Sequence, residues 1–236
     1  MTLPLSGHVA LVTGASRGIG AATAEALAAH GAHVVLTART AGGLEEVEDR
    51  IHAAGGSATI APLDLAEGDS IARLATAIGQ RWQALDILVM NAAMLGDLAP
   101  VPSIDGKQFN QILTLNLLAN QALITNFDAM LRRSARARVI ALTSSVGAKP
   151  RAYWGAYGAS KAALEALVLA YADEVEQLSS IRVAIVDPGA TATPMRKAAF
   201  PGEDQATLKS AGLVGEAIAT LVVDDFATGF CTRIAG

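Results

Sequence analysis

Tyr157 and Lys161 stand four residues apart in a stretch that otherwise contains only small and aliphatic residues, GAYGASKAAL at 155–164. If this stretch is a helix, positions i and i+4 share one face, so the ammonium of Lys161 would lie beside the phenol of Tyr157. An isolated tyrosine has a pKa of about 10, and a neighbouring positive charge lowers it because it favours the phenolate. The spacing therefore predicts a tyrosine that exchanges a proton with a substrate near neutral pH.

A second candidate site is the glycine-rich stretch TGASRGIG at 13–20, which contains Gly14, Gly18 and Gly20. It lies between a β-branched run and an alanine-rich segment, and glycines at such a turn let backbone N–H groups approach a phosphate closely. The spacing, G-x-x-x-G-x-G, differs from the G-x-G-x-x-G dinucleotide fingerprint, and a plain tight turn is the alternative. Because a strand precedes the loop and a helix follows it, we expect a dinucleotide phosphate site.

The residues after the next β-branched run, HVVLT at 33–37, indicate which dinucleotide binds. NAD sites usually have an acidic residue here for the ribose hydroxyls, but this run is followed by Ala38 and Arg39. A guanidinium can bind a 2′-phosphate through two hydrogen bonds, and Arg17 in the glycine-rich loop offers a second one. NADP is therefore favoured and NAD is less favoured, unless both arginines are ordinary solvated side chains.

Short β-branched runs alternate with longer alanine- and leucine-rich segments along the whole chain, which predicts an α/β fold with a Rossmann-type doubly wound parallel sheet and helices on both faces. The predicted strands are 8–13, 33–37, 58–63, 86–90, 138–143, 182–186 and 229–234. The predicted helices are 18–30, 43–54, 67–81, 107–131, 155–178 and 212–223. Ligands of such sheets bind outside the carboxyl ends of the strands, and that is where the candidate residues fall.

The composition narrows the class of protein. The 236 residues are 52% hydrophobic and 17% charged, which suits one domain spanning 1–236. A net charge of −4 gives no general attraction to nucleic acid or to an anionic membrane. We expect a cytoplasmic protein, because no secretory signal begins the sequence. The lone Cys231 excludes an internal disulfide, offers no metal cluster and is expected to be a small core residue.

Five motifs in one order resemble the short-chain dehydrogenase/reductase family: TGASRGIG at 13–20, NAA at 91–93, Asn116, Ser144 and YGASK at 157–161. The resemblance runs from about Gly7 to the C-terminus. It implies an NAD(P)-dependent oxidoreductase with a sheet of about seven strands, acting on a carbonyl or alcohol substrate. In the catalytic set that it implies, Tyr157 is the general acid or base and Ser144, 13 residues earlier, orients the substrate oxygen. Lys161 also binds the nicotinamide ribose, and Asn116 holds a water for proton resupply.

The resemblance also implies the contacts to the cofactor. Asp64 would bind the adenine, Asn91 the adenosine ribose, and the loop at 188–193 the nicotinamide half. The full set of implied cofactor-binding residues is Gly14, Ser16, Arg17, Gly18, Ile19, Gly20, Arg39, Asp64, Leu65, Asn91, Ala92, Tyr157, Lys161, Pro188, Gly189, Thr191 and Thr193.

Residues beside the catalytic set are candidate walls of a substrate pocket, and most are apolar or aromatic, which suits a nonpolar carbonyl compound. These walls are Met94, Leu95, Val146, Tyr153, Trp154 and the segment 194–204, which can act as a lid. In that segment, Arg196 and Lys197 either meet an acidic group of the substrate or are solvated. The helices at 107–131 and 155–178 are apolar on more than one face, which predicts a homodimer at least, and the family resemblance implies that a homotetramer is the alternative.

Two alternatives to a carbonyl reductase remain open. A sugar-nucleotide epimerase or dehydratase uses the same tyrosine and lysine, but usually carries a larger C-terminal substrate domain. A nucleotide-sensing regulatory protein would bind NADP without turnover, and such proteins usually lack one of the catalytic residues.

Overall fold

The computed structural model describes residues 2–235, and its main element is a sheet of seven parallel strands in the order β3-β2-β1-β4-β5-β6-β9. Two further short strands, β7 and β8, pair with each other. In chain order the strands are β1 Val9–Thr13, β2 His33–Thr37, β3 Ser57–Ile60, β4 Ile87–Met90, β5 Arg138–Leu142, β6 Arg182–Asp187, β7 Thr191–Ala192, β8 Lys209–Ser210 and β9 Phe230–Arg233.

Helices connect the strands and cover both faces of the sheet. They are α1 Gly18–Ala29, α2 Ala41–Ala53, α3 Ser70–Arg81, α4 Gly106–Leu113, α5 Ala119–Arg133, α6 Ser145–Ala148, α7 Gly155–Glu176, α8 Pro194–Ala199 and α9 Ala211–Val223. Buried residues of α1, α2 and α9 form the core on one face, and those of α3, α5 and α7 form the core on the other. The predicted doubly wound α/β fold is confirmed.

The strand order reverses between β1 and β4, because the chain first builds outward through β2 and β3 and then returns to the other side of β1. All five residues of β1 and of β5 are buried, as are all four of β4, which explains why these strands are almost entirely apolar, with Arg138 at the start of β5 as the charged exception. The reversal opens a crevice at the carboxyl ends of these strands, where parallel sheets of this kind bind ligands.

The helix predicted at 107–131 is not continuous. It is divided into α4 and α5 by a π-helical segment at Thr114–Leu118, a widened turn with i to i+5 bonding that often marks functional positions. The strand predicted at 58–63 is also shorter, since β3 ends at Ile60, and the helix predicted from 67 begins only at Ser70.

Cys231 is exposed, so the prediction that it is a small core residue was wrong. It lies on β9, an edge strand that pairs only with β6 in the main sheet, and an edge strand leaves part of its surface uncovered. Within residues 2–235, no helix combines the length and the apolar character that crossing a bilayer requires.

Candidate functional site

The glycine-rich loop joins β1 to α1 and needs glycine for two separate reasons. Gly14 and Gly18 have φ angles of 66° and 59°, in the left-handed region that glycine adopts without strain. Gly20 is needed for space, because a Cβ there would overlap the carbonyl oxygen of Gly14 and lie 2.5 Å from Nδ2 of Asn91. The first turn of α1 is thus pressed against the loop, with its N-terminus at the crevice.

Asn91 and Thr13 hold the glycine-rich loop against the end of β4. Nδ2 of Asn91 donates to the carbonyl oxygens of Thr13 at 2.8 Å and Gly14 at 3.3 Å. Oγ1 of Thr13, which is fully buried, accepts from the backbone N–H groups of Asn91 and Ala92, each at 3.0 Å. Sequence reasoning missed this role of Thr13, although the threonine opens the quoted loop motif. The predicted contact of Asn91 with a ribose stays a prediction.

The residues that would hold the adenosine half of a dinucleotide lie along the same edge. Arg17 and Arg39 follow β1 and β2, both are exposed, and neither forms an ion pair with any residue in 2–235. Oδ1 of Asp64 accepts from the N–H of Ala66 at 2.9 Å, and Leu65 is buried in the core. A glycine-rich loop beside two exposed guanidinium groups that form no ion pair within residues 2–235 fits a dinucleotide that carries an additional phosphate.

The loop from Pro188 to Thr193 forms the opposite wall of the crevice. Gly189 has a φ of 65° and donates its N–H to Oδ1 of Asp187 at 2.9 Å. Oγ1 of Thr191 donates to the carbonyl oxygen of Pro188 at 3.1 Å. A Cβ added to Gly18 would lie 3.6 Å from Cγ2 of Thr193, so this loop and the glycine-rich loop face each other closely.

Three of the predicted catalytic residues converge at the carboxyl end of β5. Ser144 directly precedes α6, and Tyr157 and Lys161 lie on successive turns of α7 with almost fully buried side chains. Nζ of Lys161 donates to the carbonyl oxygen of Leu142 at 2.7 Å and lies 5.8 Å from the centroid of the Tyr157 ring. The predicted proximity of amine and phenol is therefore present, but the amine is hydrogen-bonded to β5.

Burial decides the acidity of both groups. It raises the pKa of Tyr157 well above its ordinary value, and the negative charge of Asp187 acts in the same direction. Burial also lowers the pKa of Lys161 to about 8, against an opposing effect of the Glu165 carboxylate. The prediction that the neighbouring ammonium lowers the pKa of Tyr157 is wrong for the protein groups alone, because desolvation of the phenolate dominates.

Asn116, the fourth predicted catalytic residue, lies fully buried in the π-helical segment. Its Oδ1 accepts from the N–H of Met94 at 2.9 Å, and its Nδ2 donates to the carbonyl oxygen of Met94 at 2.9 Å and to Oγ of Ser160 at 3.0 Å. Both amide hydrogens are thus used within the protein. The side chain connects the loop after β4 to the helix that carries Tyr157.

A cavity of about 330 Å³ brings the two halves of the site together. The predicted site residues that line it are Ile19, Ser144, Tyr157, Pro188, Gly189, Thr191 and Thr193. Lys161, Asn116 and the other predicted cofactor-binding residues, Arg39 and Asp64 among them, lie outside the cavity lining. Of the predicted substrate walls, Leu95 and Trp154 line the cavity, whereas Tyr153 is 60% exposed to solvent.

The segment predicted to act as a lid contains α8, from which Met195, Arg196 and Ala199 reach the cavity. Arg196 is not free, because Nε and Nη2 each donate to one oxygen of Glu203 at 2.5 Å. The ring of Phe200 stacks on Trp154 with centroids 5.6 Å apart, which joins the segment to the loop before α7.

Comparison with known proteins agrees with this geometry. The family model for short chain dehydrogenases matches residues 8–204. The uncharacterized oxidoreductase YciK of Escherichia coli K12 is 35% identical over 209 residues, which cover 87% of this chain and 82% of YciK. A short chain dehydrogenase structure from Pseudomonas syringae shares 37% identity with a TM-score of 0.95, covering 99% of this chain and 96% of that one.

A second solved structure, of a short chain dehydrogenase from Shigella flexneri 2a complexed with NADP, shares 33% identity with a TM-score of 0.94 and covers 99% of both chains. The matched region contains the glycine-rich loop, the end of β5 and the helix with Tyr157 and Lys161. This chain belongs to the short-chain dehydrogenase family of oxidoreductases.

Proposed function

We propose that the protein is an NADP-dependent oxidoreductase that interconverts a carbonyl group and an alcohol, with Tyr157 as the general acid or base. The observation that carries the proposal is the single cavity in which Ser144 and Tyr157 meet the Pro188–Thr193 loop, opposite the glycine-rich loop. When bound, NADPH supplies the hydride of such a reaction and NADP accepts it.

Two observations favour NADP over NAD: the positive charge of two arginines near the glycine-rich loop and the similarity to a protein crystallised with NADP. Arg39 follows β2, where an NAD enzyme usually has an acidic residue, and Arg17 lies in the glycine-rich loop. Both guanidinium groups are exposed and are available for the 2′-phosphate. The Shigella flexneri relative was crystallised with NADP, which supports the same cofactor here.

Tyr157 is in the protonated form that the reductive direction requires. Burial raises its pKa, so the phenol is protonated at neutral pH and has a proton to give to the substrate oxygen as negative charge develops there. The hydroxyl of Ser144 lines the same cavity and can hydrogen-bond to that oxygen and orient it. In the alcohol-oxidising direction the phenol must first be deprotonated, which the positive charge of an oxidised nicotinamide favours.

Lys161 and Asn116 lie outside the cavity and support proton transfer by Tyr157. With a pKa of about 8, the amine is mostly protonated at neutral pH. Its charge would offset part of the larger cost of burying the phenolate that forms when Tyr157 gives up its proton. A water that resupplies this proton would bind to a remaining lone pair of an Asn116 oxygen, because both side-chain amide hydrogens are already donated.

We further propose that residues 1–236 form one nucleotide-binding domain of a cytoplasmic homo-oligomer. One sheet includes strands from Val9 to Arg233, which supports the single domain. Leu118 and Leu169, on the predicted oligomer-forming helices, are 56% and 40% exposed. The neighbouring Ala162 and Ala166 on α7 are also exposed and would permit close packing of two helices.

An NADPH-oxidation screen over ketones, aldehydes, quinones and acyl thioesters tests the reaction. We expect at least one class to be reduced and Tyr157→Phe to lower its kcat by about 100-fold or more, a typical contribution of general acid catalysis. Equal rates for the wild type and Tyr157→Phe would remove Tyr157 from the mechanism. Tight NADPH binding with no turnover of any substrate would instead favour the regulatory alternative.

Arg39→Ala tests the choice of cofactor. Loss of a charge-assisted contact to the 2′-phosphate should raise the KM for NADPH about tenfold or more and leave the KM for NADH little changed. Arg73→Ala, which removes an exposed arginine on α3, is the matched control for net charge. An unchanged preference between NADPH and NADH in Arg39→Ala would refute the phosphate contact.

A further inference from the structure

We propose that Arg151 selects carbonyl substrates that carry a carboxylate, so that the enzyme acts on oxo acids or on the corresponding hydroxy acids. The inference rests on the proposed function and adds the substrate class to it. Arg151 lies in the loop between α6 and α7 and lines the same cavity as Ser144 and Tyr157.

Aromatic rings hold the guanidinium of Arg151 at the mouth of this cavity. Its Cζ lies 5.1 Å from the centroid of Phe200 and 6.0 Å from that of Trp154. The two rings are themselves stacked, so the cation lies beside two aromatic side chains that support each other, with Cζ of Arg196 also 3.9 Å from the Phe200 centroid. A guanidinium placed in this way keeps its N–H edge available for two parallel hydrogen bonds to a carboxylate.

Among the residues that the structure describes, Arg151 is the cavity arginine that forms no ion pair. Three arginines line the cavity, and two of them face a carboxylate: Arg196 pairs with Glu203 at 2.5 Å, and Arg233 lies 3.6 Å from Asp187. Across residues 2–235, no carboxylate forms an ion pair with Arg151. The missing negative charge is therefore one that the substrate can supply.

The surroundings of Arg151 also limit the shape of the substrate. The centroid of the Trp154 ring is 6.0 Å from the centroid of the Tyr157 ring and also 6.0 Å from Cζ of Arg151. The distance from the guanidinium to the phenol ring is therefore at most the sum of these two distances. Leu95, Trp154 and Met195 line the cavity with apolar surface. This arrangement fits a compound with a short apolar body between a reacting carbonyl and a carboxylate.

The test compares oxo acids with their own methyl esters, which lack the negative charge and carry one added methyl group. The probes are 4-oxopentanoate, 6-oxoheptanoate and 4-oxo-4-phenylbutanoate, each beside its methyl ester, with NADPH as reductant. We expect the wild type to prefer at least one acid over its ester. Arg151→Met should lower that ratio of kcat/KM about tenfold or more, since even one of the two charge-assisted hydrogen bonds is worth about that factor. Arg151→Lys should restore part of the preference.

Lys149→Met is the matched control, since it removes an exposed cation two residues away that does not line the cavity. It should leave the acid-to-ester ratio at the wild-type value. A ratio unchanged in Arg151→Met would overturn the proposal, and so would a wild type that prefers every ester. Equal losses on acids and esters would mean that Arg151 only positions Phe200 and the lid segment, which also overturns it.

A binding measurement separates this inference from the proposed function. Calorimetric titration of 4-oxo-4-phenylbutanoate into the protein with NADP needs no turnover. Binding that weakens about tenfold in Arg151→Met supports the carboxylate contact even if Tyr157→Phe proves as active as the wild type. A different result would contradict only this inference. If neutral ketones are reduced in a reaction that depends on Tyr157, and Arg151→Met changes neither acid binding nor selectivity, the proposed function holds and the carboxylate contact is refuted.

Discussion

Gly20→Ala probes whether close packing at the start of α1 shapes the nucleotide loop. The added Cβ would lie 2.5 Å from Nδ2 of Asn91 and overlap the carbonyl oxygen of Gly14, and both neighbours are held by the hydrogen bonds of Asn91. Overpacking of this kind costs about 1–3 kcal/mol, and loss of one Asn91 hydrogen bond adds about 1 kcal/mol. We therefore expect a free energy of unfolding lower by about 2–4 kcal/mol.

The same shift should move the backbone N–H groups that would face the cofactor phosphates. NADPH binding, measured by the change in its fluorescence, should weaken by about tenfold or more, and urea unfolding followed by tryptophan fluorescence gives the stability. Gly42→Ala is the matched control, because its Cβ would meet nothing within 4 Å and alanine is the better helix former. If Gly20→Ala unfolds at the wild-type urea concentration and binds NADPH equally well, the packing argument fails.

Three further predictions concern stability. Lys161 has a pKa of about 8 when folded and 10.5 as a free side chain, so the unfolded chain binds more protons between those values. The free energy of unfolding of the wild type should therefore rise relative to Lys161→Met as pH increases through this range, by on the order of 3 kcal/mol, and parallel pH curves in urea would contradict this. Tyr153 has a φ of 70°, so Tyr153→Gly should be about 1 kcal/mol more stable than Tyr153→Ala in thermal unfolding, and equal stabilities would argue against strain there. Phe127→Ala empties a fully buried site and should cost about 3–5 kcal/mol in urea unfolding, whereas a loss below about 1 kcal/mol would show that the core collapses around the gap.

Much of the fold follows from local sequence because buried parallel strands and surface-covering helices have distinct patterns. The runs HVALVT and RVIALT are apolar without alternation, and both become strands in the centre of the sheet. The local sequence pattern predicts secondary structure less well where tertiary contacts determine the backbone conformation. Asn116 lies in the π-helical segment that divides a predicted continuous helix, and its side chain bonds to Met94. No local periodicity encodes a contact between residues so far apart in the sequence.

Likewise, residue types and spacing determined which side chains are candidates for chemistry, since Tyr157 and Lys161 share a helix face at i and i+4 and glycine alone allows the turn at Gly14. Their acidity was decided by the tertiary structure, because burial raises one pKa and lowers the other. Only the folded chain also shows that Glu203 pairs with Arg196, whereas no carboxylate within residues 2–235 pairs with Arg151 at the cavity. Charge pairing and desolvation depend on what surrounds a group in space, and the order of residues along the chain does not specify those neighbours.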